Sequence, residues 1–188
     1  MGTAVFLVAG AIAFGGGCLA RSRYERDCLV TEEYRIVSEK IHGPGKTIVF
    51  LTDLHNKEFG DQNCRLLDAV RKVKPDAVLS GGDGMVAKKG NSDVEIPRKL
   101  LTELAKEFPV YCGNGNHECR MVWKSDIYGA AYENYQAALE NAGIRYLANG
   151  SADLDGEIRI YGLDLPKSAY LPRSGQIPDN LLKDALGE

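Results

Sequence analysis

Histidine is scarce in this chain: 188 residues contain only His42, His55 and His117. Basic residues show no excess, 23 against 26 acidic with a formal net charge of -3. That excludes the strongly positive face a nucleic-acid binder needs, and no charged tail is implied. The five cysteines, Cys18, Cys28, Cys64, Cys112 and Cys119, are odd in number and contain no CxxC pair, which argues against a disulfide framework. Scattered free thiols fit a reducing compartment. Cys112, His117 and Cys119 are close in sequence, but their spacing matches no zinc pattern. A complete phosphate-binding loop is missing too. GPGKT occurs at 43–47, yet position 40 is lysine where glycine is needed, and a strand rather than a helix follows. LSGGD at 79–83 lacks the G-x-S-x-G arrangement of a serine-hydrolase elbow. The chain has no internal repeat and no low-complexity segment.

What is present begins with an uncharged run, AVFLVAGAIAFGGGCLA at 4–20. As a helix it would span about 26 Å, the short end of what a bilayer requires. Arg21 and Arg23 follow at once and no positive charge precedes it, so it reads as an N-terminal transmembrane helix rather than a secretory signal. The positive-inside tendency then places residue 21 onward in the cytoplasm. A cleaved signal or a loosely attached apolar tail is the alternative, and the glycines at 15–17 weaken the helix. Residues 21–45 read as a juxtamembrane connector. Within it TEEYRIVSEKI (31–41) alternates enough for an edge strand, and HGPG (42–45) makes a turn.

From residue 46 the pattern changes. KTIVFLTD (46–53), DAVLSGGD (76–83) and PVYCGNGN (109–116) read as buried strands. Helices are expected over 61–74 (Leu67, Val70 and Val73 inward), over 94–108 (Leu100, Leu101, Leu104 and Phe108) and over 128–143, closed by Gly143. IRYLANG and GEIRIYGLD supply two further short strands. This alternation predicts an α/β fold, a layered parallel sheet with helices on its faces, over residues 46–188.

In open α/β sheets ligands bind beyond the carboxyl ends of the strands. The first strand delivers Asp53 and His55 there, the second Asp83, and the third Asn116 and His117. Oxygen donors with imidazole suit hard and borderline divalent cations. In D-x-H on a strand, alternate side chains share a face, so Asp53 and His55 can grip one ion. Glycines at 81, 82, 113 and 115 are expected to let the backbone bend and to leave space for a phosphate.

DLHN (53–56), GGD (81–83) and GNHE (115–118), in this order and spacing, resemble the calcineurin-like metallophosphoesterases. The apolar N-terminal run resembles their membrane-anchored bacterial branch. The resemblance implies a partial α/β/β/α sandwich holding two divalent ions (Mn, Fe or Zn). Asp53 and His55 would hold the first ion, Asp83 would bridge both, and Asn116 would hold the second. His117 would be catalytic rather than a ligand, placed over the phosphate to stabilise or protonate the leaving oxygen. Glu118 is a candidate for orienting His117, and Arg120 for neutralising phosphate charge, with an ordinary surface residue as the alternative reading of Arg120. The implied reaction is hydrolysis of a phosphoester, lipid-linked substrates included. Two ions about 3.5–4 Å apart would generate an attacking hydroxide and clamp the phosphate.

Two later histidine motifs of that family, A-H-x-P-like and G-H-x-H, have no counterpart here. The first ion would keep Asp53, His55 and Asp83, the second only Asp83 and Asn116. The expectation is an N-terminal portion of a metallophosphoesterase with weak metal retention, an exposed sheet edge and little hydrolysis alone. The rival reading is an inactive membrane-tethered binding module of the same fold.

Overall fold

Runs of Ile, Val, Leu and Phe form the strands, and the stretches with apolar residues three and four apart form the helices that cover them. The computed structural model describes residues 2–170, 177 and 180–186, with the side chains of residues 2–12 and 185 outside that description. In it β1 (Ile48–Leu51), β2 (Ala77–Ser80), β3 (Val110–Cys112) and β4 (Arg145–Tyr146) make one sheet in the order β1-β2-β3-β4. All three pairings are parallel. The connections carry α2 (Cys64–Val73), α3 (Glu95–Ala105) and α6 (Ala131–Asn141).

Each of these helices buries the stripe its spacing dictates. Leu66, Leu67 and Val70 are buried from α2, Pro97, Leu100, Leu101 and Leu104 from α3, and Tyr132, Tyr135 and Leu139 from α6. A fully buried leucine or valine contributes about 1.5–3 kcal/mol, so these stripes hold the helical layer to the sheet. Val73, expected to point inward, is 37% exposed at the last position of α2.

The opposite side of the sheet is covered by an antiparallel hairpin, β5 (Gly150–Asp153) and β6 (Arg159–Gly162). Ala77, Tyr111 and Leu147 are buried there against Leu79, Ala152, Leu154 and Ile160. Side chains alternate along a strand, so Leu79 and Tyr111 serve this layer while Val78 and Val110 face the helices. The hairpin stops short of β1, an edge strand, where Phe50 is 62% exposed.

Residues 1–35 and 36–188 are two compact units. In the first, α1 (Gly2–Asp27) runs unbroken through the glycines at 15–17. Among the described residues no helix is long and apolar enough to cross a membrane. Much of the expected span at 4–20 falls on residues 4–12, whose side chains lie outside the description. The edge strand expected at 31–41 does not form. Tyr34, Ile36 and Val37 are 82%, 87% and 83% exposed, and alternation without a covering layer gives a strand nothing to bury.

The register positions the site. Leu51 pairs with Ser80 and Ser80 with Cys112, so β1, β2 and β3 end at one level. Three short helices were not legible beforehand: α4 (Asn116–Trp123), α5 (Ser125–Tyr128) and α7 (Leu181–Leu186). The glycine stretch after β3 is therefore the entry to α4, not a continuation of the strand.

Candidate metal centre

Beyond the last ladder bonds, the loops after β1 and β2 remain zipped together. The backbone N–H of Gly81 donates to Leu51 O at 2.8 Å, Asp53 to Gly82 O at 3.1 Å, His55 to Asp83 O at 3.0 Å and Asn56 to Gly84 O at 2.8 Å. Gly113 N–H ties the third loop to Ser80 O at 2.9 Å. This path forces Asp53, His55, Asn56 and Asp83 into left-handed backbone, with φ of 56°, 49°, 59° and 52°. Non-glycine residues adopt that region at a cost of about 1–3 kcal/mol each, and such strain collects at functional sites. Two glycines make the close approach feasible. A Cβ on Gly82, itself at φ 85°, would collide with the backbone N of Gly115, and one on Gly115 would lie 2.5 Å from Asp83 Cγ. Their hydrogen-only side chains let the second and third loops touch, in place of the expected space for phosphate.

Glu118 locks this contact. It is 1% exposed, in the first turn of α4. Its Oε2 accepts from Asp83 N–H at 2.8 Å and Gly115 N–H at 3.0 Å, and its Oε1 accepts from Gly84 N–H at 3.2 Å. The bond to Gly115 is the half of a capping box that a glycine N-cap allows. Burial pushes the Glu118 carboxyl above its ordinary value, while the N–H donors of Asp83 and Gly115 pull the other way. The expectation that Glu118 orients His117 is thus replaced: its bonds go to backbone of the second and third loops.

The side chains converge on Asp83, which is 7% exposed. Its Oδ2 accepts from Asn116 Nδ2 at 2.8 Å, and its Oδ1 from the backbone N–H of His117 at 2.7 Å. The positive end of α4 thus faces this carboxylate. The His55 and His117 rings meet edge to face, with centroids 5.2 Å apart. One ligand atom each from His55, Asp83 and His117 lies within 4.8 Å of the others, a group that could hold a metal ion. Burial lowers the His117 pKa, with nearby Asp83 opposing the shift, so the ring is biased to its neutral form.

Four of the sequence-predicted residues, His55, Asp83, Asn116 and His117, are brought together. Asp53 is on the same rim by its backbone but outside that group, and its Oδ2 accepts from Thr52 Oγ1 at 2.8 Å. Arg120, a candidate for the phosphate, donates from Nη1 to Ala87 O at 3.1 Å. Cys112 and Cys119 are buried and burial pushes both thiols up to about 12, so they stay protonated and outside the metal group. Sequence reasoning missed a polar knot beside the rim. Asn114 Nδ2 donates to Asp164 Oδ2 at 2.9 Å, and Tyr146 OH donates to Asn114 Oδ1 at 2.6 Å. Tyr132 shares the same amide. The first asparagine of GNGN was its only signal.

The donor set fits a divalent cation. Imidazole nitrogen, carboxylate oxygen and amide oxygen are what Zn, Mn and Fe accept. Asn56 Oδ1, on the residue after His55, is buried with no hydrogen-bond partner among the described residues, the kind of orphan oxygen that an ion or a bound water satisfies. A family model described as calcineurin-like phosphoesterase matches residues 46–187. No curated protein and no solved structure matches the chain.

Proposed function

The chain belongs to the calcineurin-like phosphoesterase family, and on that premise we propose that its strand-end rim is a metal-dependent phosphoester hydrolase site. The observation that carries the reading is the convergence of His55, Asp83 and His117 within 4.8 Å at the ends of parallel strands. His55 and Asp83 would hold the first ion, joined by Asp53 when its carboxylate leaves the Thr52 hydroxyl. Asn116 would offer its amide oxygen to a second ion bridged by Asp83. Bound divalent ions supply Lewis-acid activation of water and neutralisation of phosphate charge. The residues themselves do the rest. Asp83 is held in one orientation by Asn116 and His117 N–H, and the strained loops keep His55 facing it. His117 presents its ring beside the ion site, toward the oxygen that departs from phosphorus.

Few donors serve two ions, so turnover is expected to need added metal. With excess Mn2+, hydrolysis of p-nitrophenyl phosphate or its bis-ester should be measurable and should fall at least about 100-fold in Asp83→Ala, the scale expected when a ligand to the catalytic ion is removed. An equal rate in the variant, or no metal-stimulated rate in the parent chain, would remove this reading and favour a non-hydrolytic binding module.

The uncharged run at 4–20 followed by Arg21 and Arg23 supports a further part of the proposal. Residues 1–20 tether the chain to a membrane with the rim in the cytoplasm, where a lipid-linked phosphoester is within reach. Co-sedimentation with phospholipid vesicles is expected for the full chain and lost on deletion of residues 1–20; sedimentation that persists without them would contradict the tether.

A further inference from the structure

Arg120 is one turn beyond Asn116 on α4, and its side chain reaches back to the loop that follows β2. Its Nη1 donates to Ala87 O at 3.1 Å. The N–H of the same residue, Ala87, donates to His117 Nδ1 at 3.0 Å. Both polar backbone groups of Ala87 are thus taken by residues three apart on α4. Ala87 has little room to move: it is 0% exposed, and the chain immediately after it is closed by Lys88 N–H to Asn91 O at 3.0 Å and Asn91 N–H to Lys88 O at 2.8 Å.

The consequence is chemical. A neutral imidazole whose Nδ1 lone pair accepts an N–H must carry its proton on Nε2. That nitrogen then has a hydrogen to give and no lone pair for an ion. The two imidazoles of the cluster are therefore not equivalent. No such bond to His55 is present among the described residues, so its ring is open to coordination, whereas His117 is set as a donor. We infer that Arg120 is a positioning residue: by holding the Ala87 carbonyl it keeps the Ala87 N–H on His117 Nδ1 and so fixes His117 as an Nε2–H donor rather than a metal ligand. A neutral Nε2–H can stabilise negative charge on a leaving oxygen through a hydrogen bond, and the proton stays on the imidazole throughout. That use of the donor rests on the hydrolase reading; the fixed tautomer does not.

The test is ring-nitrogen NMR of the full, metal-free chain labelled with 15N-histidine at slightly alkaline pH, with the three histidines assigned by single His→Gln variants. The wild type should show His117 in the Nε2–H pattern alone. Arg120→Met should lose that single pattern and show a mixture of both tautomers, and Arg120→Lys, which keeps a donor for Ala87 O, should restore it. Should Arg120→Met fail to give a folded amide spectrum, Arg120→Gln, too short to reach Ala87 O, gives the same reading. A tautomer mixture in the wild type, or an unchanged pattern in Arg120→Met, overturns the inference. Titrating Zn2+ then separates it from the hydrolase reading. His55 is expected to change on binding while His117 keeps its Nε2–H. Loss of that hydrogen to the ion overturns the inference. Indifference of both rings to Zn2+ overturns the metal reading, while the fixed tautomer seen without metal still supports the Arg120 assignment.

Discussion

Glu118→Ala is expected to lower the unfolding free energy by about 3 kcal/mol or more, because three backbone donors lose a buried acceptor and each orphan costs about 1–3 kcal/mol. The three are Asp83, Gly84 and Gly115 N–H, at 2.8, 3.2 and 3.0 Å. A domain of this size is stable by only about 5–15 kcal/mol, so the variant is expected near the edge of folding. Removing the carboxylate also relieves the cost of burying it, which keeps the sum from reaching the upper limit of three orphans. Glu118→Gln discriminates further. Its amide NH2 must face at least one of the three donors, since both carboxylate oxygens are in use, and about 1–3 kcal/mol should be lost. Urea denaturation measures both. Unchanged midpoints would mean that the second and third loops are held by something other than Glu118.

The second large effect is expected at Gly82 and Gly115. Gly82→Ala adds a methyl that collides with the backbone of Gly115, in a residue at φ 85°. Overpacking of about 1–3 kcal/mol adds to left-handed strain of about 1–2 kcal/mol, so a loss of about 2–5 kcal/mol is expected. Gly115→Ala meets only the first of these, because its φ of -97° suits any residue. It should cost less stability yet displace Asp83, whose Cγ lies 2.5 Å from the added carbon. Gly82→Ala should therefore be the greater loss by denaturation, while both weaken metal binding. A reversed order, or an alanine at 115 that leaves metal affinity intact, would show that the loops separate without disturbing Asp83.

The strands, the three helices that cover the sheet and the ends from which the site is built were legible because each depends on a local pattern. Apolar runs bounded by turns give strands, a 3.6-residue stripe gives a helix, and motif residues directly after a parallel strand must arrive at its carboxyl end. DLHN, GGD and GNHE were therefore placed on one rim correctly. The connections among them were not legible. Nothing local says that Glu118 bonds to Asp83 and Gly84, because those contacts join residues 34 and 35 positions apart. Gly82 and Gly115 looked like room for a ligand, and only the paired loops reveal that each makes room for the other. The short α4 was hidden because glycine and asparagine dominate its entry. The alternation at 31–41 misled for the opposite reason, since a pattern without a layer to cover it has nothing to specify. Asp53 fits the D-x-H pattern, yet left-handed backbone at 53, 55 and 56 breaks the strand geometry that would have put it beside His55 on one face.

Calorimetric titration of the metal-free chain with Zn2+ or Mn2+ tests the rim as a metal centre most directly, with Asp83→Asn as the comparison. Saturable binding to the parent chain is expected, weakened at least about 10-fold when the carboxylate at the centre of the cluster becomes an amide. Binding that is absent, or that persists at equal strength in Asp83→Asn, would contradict it.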